Sequence, residues 1–425
     1  MTTPRLSSRL AVFIAASLLP VSLAATTATT SQAAASGAGV RPGCLAFGLC
    51  YSPQAFRNAY GVAPLLDKGT DGKGRTVDIV DPTNGAVPAT TSNIFATLSS
   101  YDSYFDLPPA HLSVVGRFDL GTPPEDANLE EVEDVEIVHA IAPAAEIRVI
   151  LLPVQLQSPS EAAQSVLTGL AAFNDAIATG DVLSLSLGAE DSAFTAPQVR
   201  ALHSLFQRAA SRHITVTVAS GDTGAAGPCS PWLAEERAVK ETCYPASDPL
   251  VLAVGGTTLH ADPKTGAYRS EPAWNSEDMA SGGGFTRLFA RPTYQAGVRG
   301  IGAQRGVPDV AADADPMSGL ALFTGSSSPS LVAAQGTSAG APFWAAIIAL
   351  ADQYAGHDLG FVNPAIYAIA RGRNYHSAFH DIVSGNNTLG SGITGYQAGP
   401  GWDPVTGWGS PVASVLVPLL AGRHL

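Results

Sequence analysis

Short apolar runs recur along the chain at residues 76–81, 112–115, 147–152, 182–187, 214–219 and 250–254. They are rich in Val, Ile and Leu and are nearly continuous, the pattern of strands buried on both faces. The first, Thr-Val-Asp-Ile-Val-Asp, ends at Asp81 and runs into a Pro82-Thr83-Asn84-Gly85 turn. Helical patterns lie between several runs, at 160–179 and 196–211, and Ser52-Pro53 opens a short helix that Tyr60-Gly61 ends. This alternation predicts an α/β fold, a mostly parallel central sheet with helices on both faces. No internal repeat or linker divides residues 41–425, which read as one large domain.

Two helical segments carry more than packing information. Asn128 can cap a helix that Pro143 ends, with acidic residues in its first turn. At roughly 100° per residue, Glu130 and Asp134 share a stripe with Ile137 and Ile141. Glu133, Glu136 and Ala140 occupy another sector and are expected to face solvent, as is Glu131. Two carboxylates on an apolar stripe repel each other and lose hydration, so at least one should keep its proton well above its ordinary pKa. Such a pair is a general acid/base for chemistry at low pH.

The second segment is Gln335-Gly336-Thr337-Ser338-Ala339-Gly340-Ala341-Pro342, which opens an apolar helical run at 343–355. Ser338 sits among small residues, and Gly336, Ala339 and Gly340 read as clearance for a substrate. Its place at a helix N-terminus favours a developing oxyanion. A third stretch, Ser220-Gly221-Asp222-Thr223-Gly224, follows an apolar run, so Asp222 falls where α/β folds place ligands. A protonated Asp222 could donate a hydrogen bond to that oxyanion.

Composition narrows the partners. Apolar residues make up 46% and charged ones 14%, enough for a large core and against disorder. A net charge of −13 and a pI near 5.0 argue against nucleic acid or an anionic membrane as partner. Residues 1–24 read as a secretory signal, with Arg5 and Arg9 before an apolar stretch and Ser22-Leu23-Ala24 as the cleavage site. Residues 25–40 are then a flexible leader, and the mature protein is expected to be secreted and monomeric, with no membrane contact after cleavage. Four cysteines fit an oxidising compartment. Of three possible pairings, the local ones, Cys44–Cys50 and Cys229–Cys243, are favoured because they close short loops; no Cys-x-x-Cys spacing points to zinc.

Taken together, the motifs resemble the sedolisin family of serine-carboxyl peptidases, from about Tyr51 to Pro411. They are Glu130-x-x-x-Asp134 with Ala142-Pro143, Ser220-Gly221-Asp222-x-Gly224 and Gly336-Thr337-Ser338-Ala339-x-x-Pro342. Tyr244-Pro245-Ala246-Ser247, Ala253-Val254-Gly255-Gly256-Thr257, Ser281-Gly282-Gly283-Gly284-Phe285 and Arg305-Gly306-Val307-Pro308-Asp309-Val310 match as well. The resemblance implies a subtilisin-like fold and polypeptide substrates cleaved in acid through an acyl-enzyme. Ser338 would be the nucleophile, Glu130 its general base, Asp134 the support of Glu130, and Asp222 part of the oxyanion hole. It also implies a Ca2+ site near the C-terminus, with Asp381 and Asp403 as carboxylate ligands and Ile382, Gly399 and Gly401 as carbonyl ligands.

Two departures from that pattern stand out. Family members usually carry a long propeptide, whereas here the mature-like region begins almost directly after residue 40. Leu187 stands where the family often has Trp, and Asp81 where relatives often have Glu bonded to it, so the carboxylate network behind Glu130 is expected to be shortened or rewired. Competing readings are a neutral subtilisin-type protease using Asp81, His139 and Ser338, and a secreted binding protein on the same scaffold. His139 faces away from the Glu130/Asp134 stripe, which disfavours the first. An α/β-hydrolase elbow at Gly336-x-Ser338-x-Gly340 is disfavoured because Ser338 comes too late for its partners to follow.

Overall fold

A computed structural model describes residues 43–84, 91–115, 129–154, 174, 176–177, 179–226, 229, 239–276, 278–324, 330–389 and 392–422. The expected signal and leader, the cap at Asn128 and most of the helix expected at 160–179 lie outside them. Among the described residues, seven strands form the central sheet: β1 (Thr76–Asn84), β2 (His111–Val115), β3 (Glu146–Val154), β4 (Val182–Leu185), β5 (Thr215–Ala219), β6 (Leu252–Thr257) and β7 (Val310–Asp313). Their order is β7-β6-β5-β4-β1-β3-β2, and every neighbouring pair is parallel. The principal helices are α1 (Pro53–Ala59), α2 (Thr91–Phe105), α3 (Leu129–Ile141), α4 (Ala196–Ser211) and α5 (Gly336–Ala355).

Side-chain alternation along the strands divides the interior in two. Val77 and Ile79 of β1, with Leu252 and Val254 of β6, join a core that includes α1, α3 and α5. Val80 and Ala253 point the other way, into a core closed by Val199, Leu202, Leu205 and Phe206 of α4. Both faces are thus covered, which is why the strands lack a polar side. α4 is held at its start by a capping box between Thr195 and Gln198.

α5 is the axis of the larger core. It is buried from Gly336 to Asp352 and lies across β4, β5, β6 and β7 while also packing on α3. A helix that is apolar on all sides belongs in such a place. Gly356 ends it in the left-handed conformation, at φ 79°.

Two boundaries differ from the sequence reading. β1 does not stop at Asp81 but continues through Pro82 to Asn84, paired with β3 up to Val154. Its pairing with β4 ends at Ile79, so the Pro82 nitrogen falls where no ladder bond on that side is needed. β7, which pairs with β6, was not among the expected strands; its run of Val-Ala-Ala-Asp is too short and small to stand out.

Candidate active site

Three adjacent strands deliver polar side chains to the C-terminal edge of the sheet. Asp81 lies in β1, Ser186 follows β4, and Asp222 follows β5. The edge where parallel strands end is the usual ligand site of open α/β sheets. α3 and α5 pack against each other over this edge and bring Glu130, Asp134 and Ser338 to it. The sequence-predicted residues Glu130, Asp134, Asp222 and Ser338 are therefore brought together, all of them buried.

Ser338 Oγ makes no hydrogen bond among the described residues, but the nearby hydroxyl exerts a pull toward the ionised form of Glu130. It is outweighed: burial first, then the charges of Glu133 and Asp81, push the Glu130 pKa well above the ordinary carboxylate range. Asp134 is raised for the same reasons, burial first and then Asp81, Glu130 and Glu133. Asp81 is raised to about 7 by burial, a rise that the neighbouring Asp134 opposes. Asp134 is thus acted on by both Asp81 and Glu130. Leu187, where an aromatic was a possible partner, packs instead in the apolar core with Leu183 and Leu185.

Ser186 and Pro342 are linked in a way the sequence did not disclose. Proline has no N–H to offer the carbonyl four residues back, which here is that of Ser338. Ser186 Oγ lies 3.2 Å from that carbonyl oxygen and 3.0 Å from Asp134 Oδ1. One hydroxyl therefore ties the Ser338 backbone to the Asp134 carboxyl. A buried polar residue directly after a parallel strand was the available signal for Ser186.

On the other side of Ser338, Thr337 N–H and Thr337 Oγ1 both donate to Asp222 Oδ1, at 2.8 Å each. Gly221 N–H donates to Thr337 Oγ1 at 3.0 Å. Burial raises the Asp222 pKa to about 6, and the two Thr337 bonds oppose that rise. Asp222 can thus hold its proton in mild acid while its Oδ1 is fully engaged.

Two expectations are corrected. Glu133 and Glu136 do not face solvent: they are 0% and 1% exposed, and Glu131 and Ala140 are buried too. α3 is enclosed on its far side by the antiparallel pair Ala321–Thr324 and Ser330–Ala333, and its acidic side chains cap backbone amides there. Phe323 N–H donates to Glu136 Oε2 at 2.7 Å, and Gln335 N–H to Glu133 Oε1 at 3.1 Å. The small residues near Ser338 are also not mere clearance. A Cβ on Gly336, whose φ is +77°, would stand 2.8 Å from Asp222 Oδ2. A Cβ on Gly340 would stand 2.7 Å from Val254 Cγ1, so that glycine lets α5 approach β6.

His139 takes no part in this cluster. It is buried against α2, with Nε2 2.9 Å from Asp102 Oδ1 and 3.0 Å from the carbonyl of Pro108.

The two carboxyls among the expected cation ligands, Asp381 and Asp403, meet one loop elsewhere. Gly401 N–H donates to Asp381 Oδ1 at 3.0 Å and Gly399 N–H to Asp403 Oδ2 at 3.1 Å, so both carboxyls reach one short loop. Asp403 also accepts from Val405 and Thr406 N–H, closing an Asx turn. Among the described residues no three His, Cys, Asp or Glu side chains gather for a metal. An ion here would need the loop carbonyls as well, a hard, oxygen-only set that fits Ca2+. Both local disulfides are present, Cys44–Cys50 and Cys229–Cys243. Among the described residues no helix is long and apolar enough to cross a membrane.

Comparison with known proteins places these features. The model of the subtilase family matches residues 130–371. Kumamolisin of Bacillus sp. (strain MN-32) is 32% identical over 380 residues, covering 87% of this chain and 63% of the relative. Sedolisin of Pseudomonas sp. (strain 101) is 34% identical over 253 residues, covering 57% and 42%. This chain therefore spans about half the length of the curated relatives it matches. A solved structure of Pseudomonas sedolisin, a serine-carboxyl proteinase complexed with two molecules of pseudo-iodotyrostatin, superposes with a TM-score of 0.72 and 26% identity. That match covers 88% of this chain and 99% of the solved one.

Proposed function

We propose that this chain, which belongs to the subtilase family and within it to the sedolisins, is a serine-carboxyl peptidase that hydrolyses polypeptides in acid. The observation that carries the reading is that the packing of α3 on α5 buries Glu130 and Asp134 with Ser338 and Asp222, while His139 is bound to Asp102 on another side of the same helix. This supports a carboxylate as the base that serves the hydroxyl.

In this mechanism the reactive form is the one in which the coupled Glu130, Asp134 and Asp81 carboxyls together carry one negative charge, and Ser338 Oγ attacks the scissile carbonyl carbon as its proton passes to Glu130. Asp134 orients Glu130 and, with Asp81, spreads the charge of the ionised cluster. The tetrahedral oxyanion receives a hydrogen bond from protonated Asp222 and lies near the N-terminus of α5. Glu130 then returns the proton to the leaving amine, and an acyl-enzyme remains on Ser338. Water repeats the sequence: Glu130 takes its proton, the hydroxyl adds to the ester carbonyl, and Ser338 leaves reprotonated. Acid is needed because Asp222 must hold its proton, and its pKa of about 6 sets the upper bound.

Export to an oxidising, acidic medium belongs to this reading; the N-terminal pattern and the two disulfides support it. So does a bound Ca2+, held by Asp381 and Asp403 with carbonyls of Ile382, Gly399 and Gly401, whose part would be to fix the C-terminal loops. The test is cleavage of a denatured protein in acid by wild type, Ser338→Ala and Glu130→Gln. Cleavage only by wild type is expected; equal cleavage by either variant would overturn the reading.

A further inference from the structure

Three consecutive backbone amides lead into Ser338, and each is held by a different element. Gln335 N–H donates to Glu133 Oε1 of α3 at 3.1 Å, Gly336 N–H to the carbonyl of Ala314 beyond β7 at 2.8 Å, and Thr337 N–H to Asp222 Oδ1 at 2.8 Å. Gln335 is the N-cap position of α5, in extended conformation (φ −153°, ψ 162°), with no side-chain cap bond. The first turn of a helix has amides without internal partners, and external acceptors fix where that turn sits. Two of the three acceptors here are the sheet edge and the oxyanion-side loop. The third is the helix that carries the base.

We propose that Glu133 is a positioning residue for catalysis, registering the Ser338 turn of α5 against the Glu130 helix through the Gln335 amide. Glu133 lies three residues after Glu130 on α3, so any shift of the bond moves base and nucleophile relative to each other. The proposal rests on the serine-carboxyl reading for its kinetic consequence, though not for the contact itself.

The protonation state of Glu133 follows from its surroundings. It is completely buried, and its Oε2 has no hydrogen-bond partner among the described residues. The charged groups acting on it are Asp222 from the loop after β5 and Asp81 from β1, with Glu130 and Asp134 on its own helix affected in turn. All are carboxyls, and burial foremost keeps Glu133 neutral well above the ordinary range. A neutral carboxyl presents one carbonyl oxygen to the Gln335 amide, and a glutamine side chain presents the same oxygen.

The test therefore pairs Glu133→Gln with Glu133→Leu and reads two quantities. The first is hydrogen exchange at the Gln335 amide, followed by mass spectrometry in wild type and both variants. Protection kept in the glutamine variant and lost in the leucine variant is expected; unchanged protection in the leucine variant overturns the contact. The second is steady-state cleavage in acid. The leucine variant is expected to lose about 10- to 100-fold in kcat with KM nearly unchanged, as for a displaced reacting pair, and the glutamine variant to stay within about three-fold of wild type with an unmoved pH profile. A glutamine variant as slow as the leucine one, or a leucine variant as fast as wild type, overturns the positioning role. If wild type shows no acid cleavage, the serine-carboxyl reading fails by itself, while the exchange data still decide the contact.

Discussion

Thr337 holds Asp222 by two hydrogen bonds to the same oxygen, from its N–H and its Oγ1, each 2.8 Å long. The residue before Ser338 thereby fixes the candidate oxyanion donor, leaving Oδ2 as the oxygen that can carry the proton. The Thr337 hydroxyl also lowers the Asp222 pKa against the effect of burial. Replacing Thr337 by Val keeps the shape and the N–H bond but removes the hydroxyl. Asp222 should then titrate above its present value of about 6, so the upper pH limb of activity should move to higher pH while kcat falls. The pH dependence of kcat/KM for Thr337→Val checks this; a limb moved to lower pH would contradict it.

Gly336 and Gly340 differ in what they make room for, and matched substitutions should separate them. Gly336→Ala forces a Cβ into a left-handed backbone 2.8 Å from Asp222 Oδ2, so kcat/KM should drop by about 100-fold from displaced groups. Gly340→Ala presses on Val254 instead, which should cost about 1–3 kcal/mol of stability as overpacking. Its folded fraction should cleave substrate nearly as wild type does. Thermal unfolding and kcat/KM measured on both proteins distinguish the two effects.

The buried carboxyls also make stability depend on pH in an unusual direction. Burial raises Asp81 to about 7, and Glu131 and Asp352 each to about 8, against ordinary values of 3.8, 4.5 and 3.8. The folded protein therefore binds more protons than the unfolded chain between roughly pH 4 and 8. Stability from these groups is fully present near the lower end of that window and is lost as pH rises through it. Melting temperature should fall steadily from pH 4.5 to 8, and Glu131→Gln should flatten the slope. A melting temperature that climbs over this range would contradict the burial of these groups.

The C-terminal loops supply a prediction of their own. Asp381 and Asp403 both engage the Gly399–Gly401 turn. Dialysis against a chelator should lower the melting temperature, and Ca2+ but not Mg2+ should restore it, given the preference of Ca2+ for irregular oxygen cages. Asp381→Asn should abolish the dependence. An unchanged melting temperature after chelation would argue that the Asx turn at Asp403 alone holds these loops.

Much of this architecture is legible in the sequence. Apolar runs dense in Val, Ile and Leu mark strands whose two faces are both buried, and Glu130, Asp134, Asp222 and Ser338 fall on elements that meet at one sheet edge. What escapes the sequence is whatever depends on a partner element. The helical period assigns Glu133 and Glu136 to another sector than the Glu130 stripe, but it cannot reveal that a second layer covers their side. Ser186 becomes informative only with Pro342, because a missing N–H matters only when the orphaned carbonyl has somewhere to go. Gly340 looks like room for a substrate until Val254 is seen against it. β7 is missed because four small residues carry little periodic signal without the neighbouring β6.

The central claim is that a carboxylate, and not a histidine, serves Ser338. It is tested most directly by the pH–activity profile, from pH 3 to 8, of the purified protein on a denatured protein substrate, with Ser338→Ala and His139→Ala measured alongside. The account predicts cleavage confined to acid and declining as Asp222 ionises near pH 6, abolished in Ser338→Ala and kept in His139→Ala. Activity that peaks near neutrality and disappears in His139→Ala would contradict it.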